Sequence, residues 1–208
     1  MVVVTLVSGG MDSLVMSKII DLQGEKQKLL FIDYGQLARE KEWMACNKIF
    51  RASGLPEPIK IDLSGYGKLL PSGITDNRKN INDDAFLPGR NLLFLVVGGS
   101  YAHYVKANKV AIGLLTERFH LFPDQTERFI VNANIAINES LNDSIAIVTP
   151  LINFTKKDIF KLARHYDLPI HDTYSCHSGG EKYCGKCISC REIIDSVGRD
   201  LPQFTKGD

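Results

Sequence analysis

The chain has 208 residues, of which 44% are hydrophobic and 24% are charged, and 25 basic residues nearly balance 24 acidic ones. This composition is typical of one ordinary globular domain and excludes wholesale disorder. A net charge of +1 argues against a general nucleic-acid or membrane binder, which would normally carry a basic excess. No signal-peptide pattern and no membrane-spanning apolar stretch is present, so we expect a cytoplasmic protein that acts on a small molecule.

Short apolar runs alternate with helical patterns, and this alternation predicts an α/β fold with parallel βαβ units. The strands are predicted at 2–7, 28–33, 59–63, 109–113 and 144–149. Helices are predicted after the first strand and over 37–53, 90–107, 129–141 and 155–166. The helix over 90–107 is apolar nearly all round, so we expect it to be buried against the sheet. The polar stretch 64–89 is unusually long for a connection, which favours an ordered excursion near a functional site.

The first strand leads directly into Ser8–Ser13, which reads Ser-Gly-Gly-Met-Asp-Ser. Paired glycines let backbone N–H groups surround an anion, and the N-terminus of the following helix adds its positive dipole end. The segment therefore predicts a phosphate site, although an ordinary tight turn is the alternative. It is not a Walker loop, because no lysine follows the glycines in the required register.

This hexapeptide resembles the SGGxDS signature of the pyrophosphatase-loop (PP-loop) ATP enzymes. The resemblance implies a five-stranded parallel sheet with helices on both faces, and a loop that holds ATP while an acid is adenylated. The residues it assigns to phosphate binding are Ser8, Gly9, Gly10, Met11, Asp12 and Ser13. Asp12 and Ser13 would be catalytic, and Asp12 is the candidate for Mg²⁺.

Four of the five cysteines are close together, with the spacing C-x7-C-x2-C-x2-C: Cys176, Cys184, Cys187 and Cys190. Short CxxC steps place thiolates around one tetrahedral metal, which favours a closed, structural Zn²⁺ in a C-terminal knuckle. A disulfide pair or an iron–sulfur cluster would also account for such a spacing. We expect a main α/β domain over 1–170 and a zinc-binding segment over 171–208 packed on it.

Further segments extend the resemblance over nearly the whole chain. Residues 31–36 resemble an FDYGQ segment, 86–91 a VPGRN segment, 149–159 a TPL…sKxeI segment and 175–187 an SC…CGxC segment. All belong to the QueC family of queuosine biosynthesis, and we identify the chain as similar to that family. The resemblance implies an ATP- and Mg²⁺-dependent carbon–nitrogen ligase that activates the carboxylate of 7-carboxy-7-deazaguanine. Ammonia then gives the amide, and a second activation gives the nitrile.

The resemblance also implies roles for further residues. Asp33 and Tyr34 would contact adenosine, and Arg90 would be a catalytic clamp for phosphate or carboxylate. Substrate contacts are expected from Arg90, Asn91, Arg118, His120 and Asp124. The family's dimer suggests a homodimer.

One stretch departs from the family pattern GVNxxDxSGYPDCRxEF, in the region 113–129. Gly113, Pro123, Asp124 and Phe129 keep register. Leu114-Leu115 replaces the family's Val-Asn, and His120-Leu121 replaces its Ser-Gly, so the substrate pocket is expected to differ. A QueC-like paralogue therefore remains open, with another acid or a larger amine; such relatives occur in antiphage gene clusters and would bring a protein partner. A tRNA-modifying PP-loop enzyme and a non-catalytic nucleotide- and zinc-binding partner protein also remain open.

Overall fold

The computed structural model describes residues 1–116, 122–199 and 201–205. Within these ranges, a five-stranded sheet has the order β3-β2-β1-β4-β5. Its strands are β1 (Val2–Val7), β2 (Lys26–Asp33), β3 (Ile59–Asp62), β4 (Lys109–Ala111) and β5 (Ala146–Val148). All pairs are parallel. The order reverses beside β1, and such a switch point at the carboxyl ends of the strands is where open α/β sheets bind ligands.

Helices fill most of the connections, as the alternation predicts. They are α1 (Met11–Leu22), α2 (Arg39–Ala52), α3 (Gly65–Leu69), α4 (Arg90–Val105), α5 (Glu127–Leu141), α6 (Lys156–His165), α7 (Ile188–Val197) and α8 (Pro202–Thr205). Short 3₁₀ turns lie at Pro123–Gln125 and Ile170–Asp172. The predicted capping box is present at the start of α6, where Thr155 and Asp158 bond each other's backbone N–H groups.

The strand bounds differ modestly from those predicted. β2 begins at Lys26 because it pairs with β1 along its whole length, from Val2 opposite Lys26 onward. Gln27 is buried in this added stretch, where its amide oxygen accepts a hydrogen bond from Thr5 Oγ1. A buried polar pair carries no apolar signal, so the pattern of hydrophobic residues misses it. β4 and β5 are shorter than predicted, with three residues each.

The sheet separates two hydrophobic cores, and this confirms helices on both faces. Successive side chains of a strand point to opposite faces, and the buried residues of β1 and β2 divide accordingly. On the face covered by α1, α2, α6 and α7 lie Val3, Val7, Leu29 and Phe31. On the face covered by α4 and α5 lie Val4, Leu6, Leu30 and Ile32.

Helix α4 packs against the sheet, as expected, and its outer side is exposed. Leu95 and Ala102 are fully buried, but Val96 is 44% exposed and Tyr104 is 80% exposed. The inner side packs closely because a Cβ at Gly99 would lie 2.7 Å from the Ile137 side chain of α5. No helix in the described ranges is long and apolar enough to cross a membrane.

The stretch 64–89 is an ordered excursion, as predicted. It contains α3 and returns toward the sheet, and Ile74, Ala85 and Leu87 are buried in the core on the α4 and α5 face. The backbone N–H of Leu37 donates to the Ile74 carbonyl at 2.9 Å. The excursion is therefore part of the core beside the carboxyl ends of the strands.

Replacing Ile74 with alanine tests whether the excursion contributes to global stability. Ile74 is 2% exposed, so Ile74→Ala should lower the free energy of unfolding by about 2–4 kcal/mol. Ile59→Ala is the matched control, because Ile59 is 47% exposed and its loss should cost less than about 1 kcal/mol. Urea unfolding measures both, and equal effects would mean that 64–89 does not share the cooperative core.

Candidate active site and cysteine centre

The loop after β1 is held in shape by its own serines. Ser13 Oγ accepts a hydrogen bond from the Ser8 backbone N–H at 3.1 Å and lies 3.0 Å from the carbonyl oxygens of Ser8 and Gly10. The Gly10 N–H donates to Ser8 Oγ at 3.2 Å. A Cβ at residue 9 would lie 2.5 Å from the Glu42 carbonyl oxygen, so Gly9 is required by the close approach of α2. The result is a compact turn at the N-terminus of α1, suited to bind an anion.

The Ser8–Ser13 loop forms an ion pair with a lysine side chain. Lys156, the first residue of α6, places its Nζ 2.8 Å and 2.7 Å from the two carboxylate oxygens of Asp12. Burial opposes the charge on Lys156, but the carboxylates of Asp12 and Glu192 outweigh it and raise the pKa of the ammonium. Burial raises the pKa of Glu192 as well. A charged lysine is therefore fixed beside the loop at neutral pH.

An aromatic wall with a second cation lies in the same cavity. The Arg90 guanidinium carbon lies 5.8 Å from the ring centre of Tyr34 and 5.9 Å from that of Phe94. The two rings lie 5.3 Å apart and are tilted to each other. Burial raises the pKa of Tyr34 to about 12, so its hydroxyl stays protonated. Such a wall suits a planar ring, with the guanidinium placed for an anionic substituent.

The carboxylate of Glu42 lines the same cavity as these two rings. Glu42 accepts a hydrogen bond from Gln36 Nε2 at 2.9 Å, and Gln36 Oε1 accepts from the Tyr34 backbone N–H at 3.0 Å. Burial raises the pKa of Glu42. Gln36 thereby connects the turn after β2 to α2.

These groups share one cavity of about 320 Å³ at the carboxyl edge of the sheet. The residues with polar side chains that line it are Ser8, Asp12, Ser13, Tyr34, Gln36, Glu42, Arg90, Asn91, Gln125, Lys156, Ser175, His177, Ser189 and Glu192. Its apolar lining includes Leu6, Phe31, Ile32, Ile74, Ala85, Phe94, Leu114 and Phe122. A phosphate-type loop and an aromatic wall in one cavity can bring two ligands together.

The predicted site residues have different positions relative to this cavity. Asp33 is outside its lining: its carboxylate accepts from the Gly35 N–H at 3.0 Å and pairs with Lys60 at 3.2 Å. Asn91 lines the cavity and donates through Nδ2 to the Asp124 carbonyl at 2.9 Å. The Asp124 carboxylate in turn accepts from the Asn91 backbone N–H.

Four other predicted residues have no described contact with the cavity. Gly9 packs on α2, and Met11 is buried in the core. Arg118 and His120 lie outside the described residues.

Several cavity residues were not predicted from the sequence. Lys156 and Ser175 stand in segments that match the family, so those matches could have identified them. Glu42, His177 and Glu192 carry no comparable signal, because an acid in a helix or a histidine beside a cysteine usually has a structural role. Only the fold shows that these three side chains face the loop.

The late cysteines converge as their spacing predicts. The sulfurs of Cys176, Cys184, Cys187 and Cys190 all lie within 4.8 Å of one another. A tetrahedral zinc with Zn–S bonds of about 2.3 Å requires sulfur separations of about 3.8 Å, and Cys184 Sγ lies 4.0 Å from Cys190 Sγ. Backbone N–H groups also donate to sulfur, from Cys184 to Cys176 and from Cys187 to Cys184. The four sulfurs therefore fit a closed tetrahedral metal site.

The electrostatics of the cluster agree with this donor set. Hydrogen bonds from the thiols of Cys187 and Cys190 hold the pKa of Cys176 far below its ordinary value. The same bonds raise the pKa of Cys187 and Cys190, since the first thiolate uses their protons. All five cysteines are free, and Cys46 is buried in the core away from the cluster. A divalent metal would replace the shared protons and neutralise the thiolates.

Comparison with known proteins identifies relatives over almost the full length. The family model described as "Queuosine biosynthesis protein QueC" matches residues 2–194. The chain is 31% identical over 216 residues to the 7-cyano-7-deazaguanine synthase of Methanothermobacter thermautotrophicus, which covers 96% of each chain. It is 34% identical over 220 residues to the synthase of Prochlorococcus marinus (strain MIT 9215), covering 98% of this chain and 96% of that relative.

Solved structures of more distant proteins share the fold. The NMN synthetase from Francisella tularensis gives a TM-score of 0.54 at 17% identity, covering 99% of this chain and 77% of that chain. A 4-thiouridine synthetase, solved in a complex with RNA and bound ATP, gives 0.53 at 18% identity and covers 99% of this chain and 53% of that chain. At these identities the similarity concerns the fold alone, and it agrees with the predicted fold class.

Metal analysis tests the cysteine centre. We expect about one zinc per chain bound by thiolates only. Cys187→Ser should lose the metal and lower the melting temperature, because the metal stabilises the folded segment. Cys46→Ala is the matched control, since it removes a buried thiol outside the cluster and should keep the metal. Iron with a visible absorption band after anaerobic purification would contradict the zinc assignment.

Proposed function

Because this chain belongs to the QueC family, we propose that it uses ATP to activate the carboxylate of a 7-deazapurine and converts it to an amide and then a nitrile. The substrate would be 7-carboxy-7-deazaguanine, and the product would be 7-cyano-7-deazaguanine of queuosine biosynthesis. The observation that carries the proposal is the shared cavity, in which the Ser8–Ser13 loop with Lys156 faces Arg90 and an aromatic wall.

The phosphate end of the cavity would bind ATP. The loop N–H groups and the N-terminus of α1 favour the phosphates, and Lys156 adds a fixed positive charge beside them. Asp12 offers two carboxylate oxygens that already bind an ammonium group, so its donor set fits Mg²⁺. When bound, Mg²⁺ would offset the charge of the phosphates and of the departing pyrophosphate. Lys156, freed from Asp12, would then contact a phosphate oxygen.

The aromatic end would bind the acid. Tyr34 and Phe94 provide a surface for the planar deazapurine, and Arg90 above them would pair with its carboxylate. This orientation directs the carboxylate toward the α-phosphate. A carboxylate oxygen attacks the α-phosphorus and pyrophosphate leaves, because oxide itself is too poor a leaving group for direct displacement.

The remaining steps consume ammonia and a second ATP. Ammonia attacks the acyl carbon, a proton is lost and AMP leaves with the original carboxylate oxygen, which gives the amide. The amide oxygen then attacks a second α-phosphorus and pyrophosphate leaves, and loss of AMP and of both amide protons gives the nitrile. Both activations need water to be excluded, since water would hydrolyse the activated acyl group. The buried residues Ile74, Ala85 and Leu114 provide that apolar surround.

One observation favours a second candidate, a relative with another acid or amine. Leu114 is 7% exposed and lines the cavity within the stretch that departs from the family pattern. An apolar side chain cannot donate to or accept from a base edge, and an unpaired polar edge costs about 1–3 kcal/mol. This candidate would keep ATP activation and change what is joined, including an amine supplied by a protein partner.

Pyrophosphate exchange tests the ATP end of the site. Lys156→Met should lower acid-dependent ATP–pyrophosphate exchange by about 10²–10³-fold, as expected for loss of a charge that stabilises the transition state. Asp12→Ala should abolish turnover and also lower the melting temperature, because it leaves the largely buried Lys156 ammonium without its ion-pair partner. The matched control is Lys157→Met at the exposed neighbouring position, which should keep wild-type exchange. An active Asp12→Ala enzyme would exclude this role for the loop.

The two candidate functions are distinguished by testing whether the protein converts the acid proposed for the first of them. The enzyme is supplied with 7-carboxy-7-deazaguanine, ATP, Mg²⁺ and ammonium, and nitrile formation is followed by mass spectrometry. Conversion at about 1 per second or somewhat slower is the expected result and would show that Leu114 is neutral. Adenylate without nitrile would instead favour a different amine, and no AMP at all would favour a different acid or a required partner.

A further inference from the structure

His177 has a buried nitrogen with no protein partner. Its Nδ1 is shielded from solvent and makes no hydrogen bond to any of the residues that the structure describes. Buried polar atoms in folded proteins are almost always hydrogen-bonded, and leaving one unpaired destabilises the fold. A ligand in the cavity that His177 lines would reach this nitrogen once the imidazole turns toward the cavity.

The backbone around His177 fixes where this nitrogen lies. The preceding Cys176 is one of the four clustered cysteines, and the His177 backbone N–H bonds to the sulfur of Cys187. Ser175 donates its N–H to the Tyr183 hydroxyl at 2.7 Å. The segment is therefore held on both sides of His177, and the residue lines the cavity. The backbone of His177 is thus fixed before any ligand arrives, whereas its ring can turn about the side-chain bonds.

The charges nearby indicate what the nitrogen would contact. Arg90 beside the aromatic wall and Lys156 beside the Ser8–Ser13 loop both act electrostatically on the imidazole. The ring is therefore within reach of both ends of the cavity, where the acid must meet the α-phosphate. A ligand oxygen carrying negative charge is the group that these two cations favour at this place.

We propose that the His177 imidazole turns toward the cavity and binds the reacting acyl group of the substrate through a hydrogen bond from Nδ1–H to a carboxyl oxygen. This rests on the proposed function, because it assumes an acid activated by ATP in this cavity. The bond would orient the carboxylate for attack on the α-phosphorus and would strengthen as charge grows on the acyl oxygen when the amine adds. The imidazole keeps its proton throughout, so no bond of His177 forms or breaks.

Two substitutions separate a substrate contact from a structural role. His177→Leu removes the nitrogen, whereas His177→Asn places an amide N–H close to the position of Nδ1. Acid-dependent exchange and calorimetric binding of 7-carboxy-7-deazaguanine are measured for both, with melting temperature and zinc content. We expect His177→Leu to weaken acid binding and exchange by about 10–100-fold, corresponding to one lost buried hydrogen bond. The KM for ATP should change by less than about threefold.

The melting temperature tests for a structural role, because loss of a structural side chain at His177 would lower it. Because Nδ1 has no protein partner among the described residues, His177→Leu should keep or raise the melting temperature and keep the zinc. His177→Asn should restore most of the acid affinity. Equal affinities in wild type and both variants would overturn the role of His177 alone. A wild-type protein with neither acid binding nor acid-dependent exchange would overturn the proposed function, and with it this assignment.

Discussion

A backbone hydrogen bond joins the Ser8–Ser13 loop to the cysteine segment. The N–H of Tyr174, two residues before Cys176, donates to the Gly9 carbonyl at 2.7 Å. Gly9 packs directly against α2, since a Cβ at this position would overlap the Glu42 backbone. The phosphate loop is thus fixed between a helix on one side and the cysteine segment on the other.

This attachment gives the cysteine centre an indirect influence on the active site. Four cysteines would fill a tetrahedral metal, so the centre would offer no position for a substrate. The same segment nevertheless contributes Ser175, His177, Ser189 and Glu192 to the cavity. A metal bound there would therefore determine where those side chains lie without contacting the substrate.

Much of the fold follows from sequence pattern, and the limits of prediction have physical causes. The alternation of apolar runs and helical periods predicts the parallel sheet, and the spacing of the cysteines predicts their convergence. Helix α4 shows one limit, because an apolar sequence indicates what can be buried and not what is covered. The helix lies on one face of the sheet, and Val96 and Tyr104 on its outer side have no covering element among the described residues. Gln27 shows another, because a buried amide paired with Thr5 resembles an exposed polar residue in the sequence.

Candidate site residues could be predicted where they lie in one continuous motif. They could not be predicted where the fold brings together residues that are distant in sequence. Ser8–Ser13 acts through its own backbone, so six consecutive residues predict it. The partner of Asp12 comes from α6, at the far end of the chain, and the ion pair between Asp12 and Lys156 depends on how α1 and α6 pack. Asp33, at the end of β2, instead bonds Gly35 and Lys60 and holds the turn that places Tyr34 in the wall.

The distribution of charge in the cavity constrains what can bind there. Asp12 and Glu192 flank Lys156, whereas Arg90 faces the rings of Tyr34 and Phe94 and the buried Glu42. Each cation is thus partly neutralised in the unliganded protein, which lowers the cost of keeping it buried. A polyphosphate would exchange the internal carboxylate partner of Lys156 for a ligand oxygen, so its binding requires little new charge to be desolvated. The apolar Leu114 adds no such exchange, and it therefore selects for shape in the stretch that departs from the family pattern.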